Sequence, residues 1–206
     1  ISGLRITDEK WYASGLFGII DSADISNVNV RGEINSGRMV GSIAGVSNSS
    51  VISDCKSYVA IKLKETEYSS FNAGGIIGWA YGGGVISSCE NYGTVAASET
   101  GGGIAGRADG SAALEKCGNY VVVSGRLAAG GIAGYAGGRI TECVNKGAIS
   151  ASNSVSAGAS AAGIAARAQG NELLIKDSYN TGDISVYCSA TKRSGEPGVA
   201  GIFAER

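Results

Sequence analysis

Residues 74–95 read GGIIGWAYGGGVISSCENYGTV, and residues 130–149 read GGIAGYAGGRITECVNKGAI. The two match phrase for phrase. Each opens on Gly-Gly-Ile, passes through Ile-x-x-Cys and Asn-x-Gly, and closes on an aliphatic residue. Repetition of this kind decides architecture before any single element is assigned. Followed outward, the opening phrase recurs with its apolar anchor at Leu16, Ile43, Ile76, Ile104, Ile132, Ile164 and Ile202. The steps between anchors are 27, 33, 28, 28, 32 and 38 residues, a unit of about 28 with insertions.

The second phrase carries Ile25, Ile52, Ile86, Leu114, Ile140 and Ile175, and the third ends at Ile34, Ile61, Val95, Val123, Ile149 and Ile184. Each phrase is three to six residues long and is bounded by Gly, Ser or Asn, as short strands are. None has the 3.6-residue period of a helix. Segment 111–118, SAALEKCG, has local helical propensity, but its place in the repeat predicts a strand.

The fold expected is all-β. It is a parallel β-helix (β-solenoid) with three short strands per turn, six turns and a partial seventh, in one domain over residues 15–206. The variable coil length favours the right-handed form. Residues 1–14 read as an N-terminal cap or partial rung. The chain stops just inside a seventh anchor, which predicts a segment of a longer protein or an irregular cap. Strands of successive coils would pair at about 4.8 Å and satisfy their amides between coils. Insertions fall after the third phrase, at 62–72, 150–160 and 185–198, on one face of the stack.

Composition bounds the function. The chain has 206 residues, 44% of them hydrophobic, with 34 glycines and a single proline, Pro197. That excludes collagen, which needs abundant proline and strict glycine spacing. It also argues against disorder, since net charge is only −1. Histidine is absent, which removes His-dependent triads, Cys–His dyads and HExxH zinc sites. Seventeen basic residues against eighteen acidic give no electrostatic reason to expect nucleic acid. No apolar run is long enough to span a membrane. The start at Ile1-Ser2-Gly3 carries no signal peptide and reads as an internal cut or a mature terminus.

Stacked repeats turn recurrent positions into columns. Cys55, Cys89, Cys117 and Cys143 share one column, which suits an inward ladder of small apolar thiols. Their spacing contains no CxxC, so no metal and no cofactor is expected. Cys188 falls in an insertion and is the cysteine expected to be exposed. Asn91, Asn119, Asn145 and Asn180 predict an amide ladder at a corner, where asparagine also tolerates left-handed backbone.

Three residues past the anchor stand Val46, Trp79, Arg107, Tyr135 and Arg167. They are expected outside, as alternating rings and guanidinium groups. Trp79, Arg107, Tyr135 and Arg167 are thus the candidate ligand platform, for a host glycan, a glycoprotein or a neighbouring domain of the same chain. The plainer reading of this column is decoration that stiffens the sheet. Glu142 and Asp177, one coil apart in a polar column with Asp54, Ser88 and Lys116, are a candidate carboxylate pair. Residues 101–106 match GxGxxG but lack the βαβ setting of a dinucleotide site and are one copy of the repeat.

The Gly-Gly-Ile-Ala-Gly phrase followed by Ile-x-x-Cys-x-Asn-x-Gly resembles the GLUG-motif repeats, from about residue 15 onward. The chain departs from the pattern at Val59 and Val121, in place of the turn glycine, and at Ser178, Ala166 and Ala204. Such repeats occur in large bacterial surface and secreted proteins, adhesin-like proteins and the non-catalytic parts of IgA-cleaving metalloproteases among them. The resemblance implies a non-catalytic, extracellular or cell-surface bacterial module, adhesive or ligand-presenting. The alternatives are a rigid spacer with no ligand, or a polysaccharide lyase or glycoside hydrolase of the β-helix type.

Overall fold

The computed structural model describes residues 1–7, 12–35, 37–63, 71–153, 158–169, 172–188 and 198–205. Within them the chain is all β, and every strand pairing is parallel. One coil shows the plan. The chain runs through Asn72–Gly74, bends at Gly75-Ile76, and continues as Ile77–Tyr81. It then forms Val85–Ser87, Glu90–Asn91 and Val95–Ala96 before the next coil begins. The three phrases are the three strands of the turn, the first bent at its anchor.

Equivalent segments stack into four sheets, called I to IV in the order a coil visits them. Among the described residues sheets I and II have seven strands each, sheet III has six, and sheet IV has eleven. Sheet IV has more because its segment, continuous in Asn29–Ile34 and Lys56–Lys62, splits in two in later coils. This is a parallel β-solenoid of six turns and part of a seventh. Segment 111–118 contains the strand Ala113–Glu115. Near the start, Leu4–Ile6 pairs with Gly32–Ile34 and Ala13–Ser14 with Met39–Val40. Insertion residues 64–70, 154–157 and 189–197 lie outside the described residues.

Hydrogen bonds run between coils. Ile76 N–H donates to Ile104 O at 3.0 Å, Ile104 to Ile132 O at 2.9 Å, and Ile132 to Ile164 O at 3.0 Å. Short strands of low intrinsic stability are held because each amide is answered by the same residue one coil on. The inward columns are aliphatic. Ile43, Ile76, Ile104, Ile132 and Ile164 are fully buried, as are Ile52, Ile86 and Leu114, and Ile34, Ile61 and Val123. Each contributes roughly 1.5–3 kcal/mol by leaving water.

The left-handed backbone does not fall on the asparagine column, as the sequence suggested. It falls earlier, at Asn27, Asp54, Ser88, Lys116, Glu142 and Asp177, with φ between 51° and 56°. These residues make the corner between sheets III and IV. The inward thiol and the inward asparagine that follow both need extended backbone, so the tight turn is displaced to the residue before the thiol. Three of the six are asparagine or aspartate; the other three, Ser88, Lys116 and Glu142, take the conformation with ordinary side chains.

Sheets I and II meet at the glycine-rich bend with very little room. A Cβ at Gly78 would lie 2.4 Å from Val40 N, and one at Gly106 would lie 2.7 Å from Ala73 N. The outer positions of sheet I are consequently covered: Met39, Asn72, Thr100 and Ser160 are all buried. Ala166 stands in the column of Gly134, where a Cβ would meet Thr100 Cγ2 at 2.4 Å. One coil on, the residue in the place of Thr100 is Ala128, and the methyl group of Ala166 is accommodated.

Candidate functional site

The expected platform is brought together in register. Trp79 pairs with Arg107, Arg107 with Tyr135, and Tyr135 with Arg167. The Arg107 guanidinium lies 5.4 Å from the Trp79 ring and that of Arg167 lies 5.8 Å from Tyr135. The column is half-buried, however, and Val46 is buried outright. It lies against the outer side of sheet I instead of standing in water. Trp79 Nε1 donates to Asp109 at 2.8 Å, and Arg107 Nε donates to the same carboxylate at 2.8 Å. Arg167 donates to Tyr135 Oη at 3.0 Å, to Ser160 Oγ at 3.4 Å and to Gly158 O at 3.2 Å. These polar groups are spent largely on the chain itself.

Glu142 and Asp177 stand one coil apart, both exposed, on the left-handed corner. Asp177 lies 3.5 Å from the ammonium of its neighbour Lys176, and a nearby ion pair on sheet III joins Arg139 to Glu115. Among the described residues no three His, Cys, Asp or Glu side chains gather as a metal site would require.

The structural columns have a clear geometry. Cys55, Cys89, Cys117 and Cys143 are buried free thiols, each donating to the carbonyl two residues earlier at 3.1–3.3 Å. Burial pushes the Cys117 thiol well above its ordinary range. Cys188 is half-buried at the end of the strand Ile184–Cys188 and pairs with Asn153, so it sits in the sheet and not in the insertion.

The amides link coil to coil. Asn91 Nδ2 donates to Asn119 Oδ1 at 2.9 Å, Asn119 to Asn145 at 2.7 Å, and Asn145 to Asn180 at 2.6 Å. Each asparagine also closes its own turn, as when Asn145 Nδ2 donates to Gly147 O at 2.8 Å. The side chains pack on the opening glycines. A Cβ at Gly75 would lie 2.3 Å from Asn91 Cγ, and one at Gly131 would lie 2.4 Å from Asn145 Cγ.

Sequence reasoning missed the most regular exterior feature. In the first five coils the residue after the asparagine position, which Val30 and Ser57 fill in the first two, faces outward and reads Arg31, Tyr58, Tyr92, Tyr120 and Lys146. Tyr58 and Tyr92 stack at 5.2 Å between ring centroids with 13° between planes, and Tyr92 and Tyr120 at 4.9 Å and 8°. Its signal was present one position beyond the asparagine column.

Among the described residues no helix is long and apolar enough to cross a membrane. Comparison with family models, with curated proteins and with solved structures gives no match to the chain.

Proposed function

We propose that the chain is a non-catalytic module of a bacterial cell-surface or secreted protein. The solenoid acts as a rigid rod that presents fixed side-chain columns to a host glycan or glycoprotein. One observation carries this reading. The exterior columns are held in register by backbone hydrogen bonds between coils and, from Asn91 to Asn180, by the amide ladder as well, so their spacing is set by the fold. Preorganised side chains lose little freedom on contact, which is how a shallow surface gains affinity. The likeness of the repeat phrase to GLUG repeats supports the same setting.

A rigid spacer with no ligand is the second reading. It is favoured by the internal hydrogen bonds of Trp79, Arg107 and Arg167, which leave that column less to offer. The two separate in one experiment. Beads coated with the chain are expected to adhere to mucin and to features of a glycan array, above beads coated with an unrelated β-protein. Adhesion lost in the double variant Trp79→Ala, Tyr135→Ala assigns it to the half-buried column. No adhesion by correctly folded chain establishes the spacer. Depolymerisation of a glycan, abolished by Glu142→Gln or Asp177→Asn, would overturn both in favour of a hydrolase or lyase.

A further inference from the structure

The outward face of sheet IV holds one continuous stack of side chains across five coils. The Arg31 guanidinium sits 3.8 Å over the Tyr58 ring, the three tyrosines follow, and the Lys146 ammonium lies 5.4 Å from Tyr120. Cations therefore close both ends. Their separation is four coil steps, roughly 19 Å at ~4.8 Å per step. Two residues further along the same face runs a strip of small side chains, Thr94, Val122 and Ala148, all exposed, with Val122 at 50%. Lys56 flanks the other side, tied to Glu90 at 2.6 Å, and Arg5 is tied to Glu33 at 3.1 Å. Arg31 and Lys146 have ring partners but are in no ion pair among the described residues, so the exposed charge of the stack is positive. The chain as a whole is at −1.

We propose that this face binds a linear anionic polysaccharide laid along the rod axis. Sugar carboxylates would meet Arg31 and Lys146, and the intervening sugars would lie over the tyrosine edges and the small-residue strip. The proposal rests on the ligand-presenting reading and names its surface and ligand class. Three features select the ligand. Rings at this spacing and this small interplanar angle overlap face to face, so the ladder offers edges and hydroxyls, which suit a hydroxyl-rich partner. Single-stranded nucleic acid needs free ring faces for its bases and cations along its whole backbone, and among the described residues of this face the cations outside ion pairs stand at the two ends, Lys56 and Arg5 being tied to carboxylates. A peptide docking by strand addition needs an unpaired sheet edge, whereas these strands are paired on both sides. A carboxylate borne at intervals by a stiff sugar chain matches two fixed cations and a neutral polar run between them.

Binding is measured by biolayer interferometry at low salt, with hyaluronate and polygalacturonate as anionic probes and dextran and oligo-dT as controls. The native chain is expected to retain the anionic glycans and not dextran. The double variant Arg31→Gln, Lys146→Gln is expected to lose at least tenfold in affinity with an unchanged circular dichroism spectrum and melting temperature, because both side chains are exposed. Tyr92→Phe keeps the stack, removes one hydroxyl, and is expected to lose severalfold. Equal binding by the double variant, or no retention of either anionic probe by folded chain, overturns the proposal. So does oligo-dT binding that the double variant abolishes, which would make the face a nucleic-acid surface. If coated beads adhere to mucin or neutral glycans while both anionic probes fail, this inference falls and the ligand-presenting reading stands. If nothing adheres, both fall.

Discussion

Two residue-scale pairings explain where the repeat varies. In the second coil Ser42 replaces the opening glycine and Ser57 replaces the asparagine, whereas the next coil has Gly75 and Asn91 in register with them. The amide that fills the space over a glycine cannot be kept once that glycine gains a side chain, so both change together. We expect Gly75→Ser alone to destabilise the chain by about 2–3 kcal/mol, a typical cost of overpacking. The double variant Gly75→Ser, Asn91→Ser should recover only the share due to the amide, about 1 kcal/mol, because the Gly103 carbonyl oxygen that also crowds a Cβ at Gly75 stays in place. Urea denaturation of the two singles and the double gives the coupling, and strict additivity would show that the two positions do not share this space. The left-handed corner makes a second prediction. A non-glycine residue in that conformation costs about 1–2 kcal/mol, less for asparagine. Lys116→Asn and Glu142→Asn should therefore each raise stability by several tenths of a kcal/mol. Lys116→Val should lower it, since a β-branched side chain fits this backbone worst. Melting temperatures that move the other way would mean that the side chains, and not the backbone, decide these positions.

At the scale of elements, the tyrosine ladder and the Lys56–Glu90 pair form one electrostatic unit on sheet IV. Desolvation and then the Glu90 carboxylate hold the Tyr92 and Tyr120 hydroxyls above their ordinary range. The hydrogen bond and charge of the same carboxylate raise Lys56. All three shifts favour the protonated form in the folded state. Their contribution is complete below the unfolded values, near 10 for both residue types, and is lost as pH rises through the folded ones. Stability should thus decline in the alkaline range, and phenolate formation by ultraviolet difference spectroscopy should trail the free amino acid. Glu90→Gln should bring part of that titration back toward the free value while leaving the share due to desolvation. An unchanged titration in Glu90→Gln would place the carboxylate outside the unit. This element also marks how far the sequence could be read. The inward columns were legible because stacking puts like on like: Ile, Cys and Asn recur at fixed offsets, and each recurrence is a contact. The outward columns carry no such constraint. Arg31, Tyr58, Tyr92, Tyr120 and Lys146 form a column only through the register, since three residue types share it. The Trp79 column was legible as a set, but its half-burial was not, because the bend between sheets I and II depends on glycines whose consequence is a close approach between coils.

At the scale of the whole molecule, stability in a stack of repeats is close to a sum over coils and their interfaces. Among the described residues the inner strands of sheets III and IV have a neighbour on both sides, whereas Leu174–Lys176 and Ile184–Cys188 have one. The burial pattern follows this. Ile132, Ile140 and Ile149 in the fifth coil are buried, while Ile175 and Ile184 in the next are only half-buried, and Ile25 in the first coil is half-buried as well. The amide ladder behaves alike, since Asn145 is fully buried and Asn180 is not. Local opening should therefore begin at the ends and move inward, with the lowest opening free energies in residues 1–7 and 172–188 and the highest in 72–145. Native-state hydrogen exchange read by mass spectrometry on overlapping peptides tests this directly. Thiol labelling gives an independent reading on the same axis. Cys89 and Cys117 should resist an alkylating reagent under native conditions and react only with global unfolding, whereas Cys188, half-buried in the sixth coil, should react through local opening. Equal protection along the chain, with Cys188 as slow as Cys117, would mean that the coils unfold as one unit. The rod would then owe its stiffness to long-range cooperativity and not to a sum of neighbouring contacts.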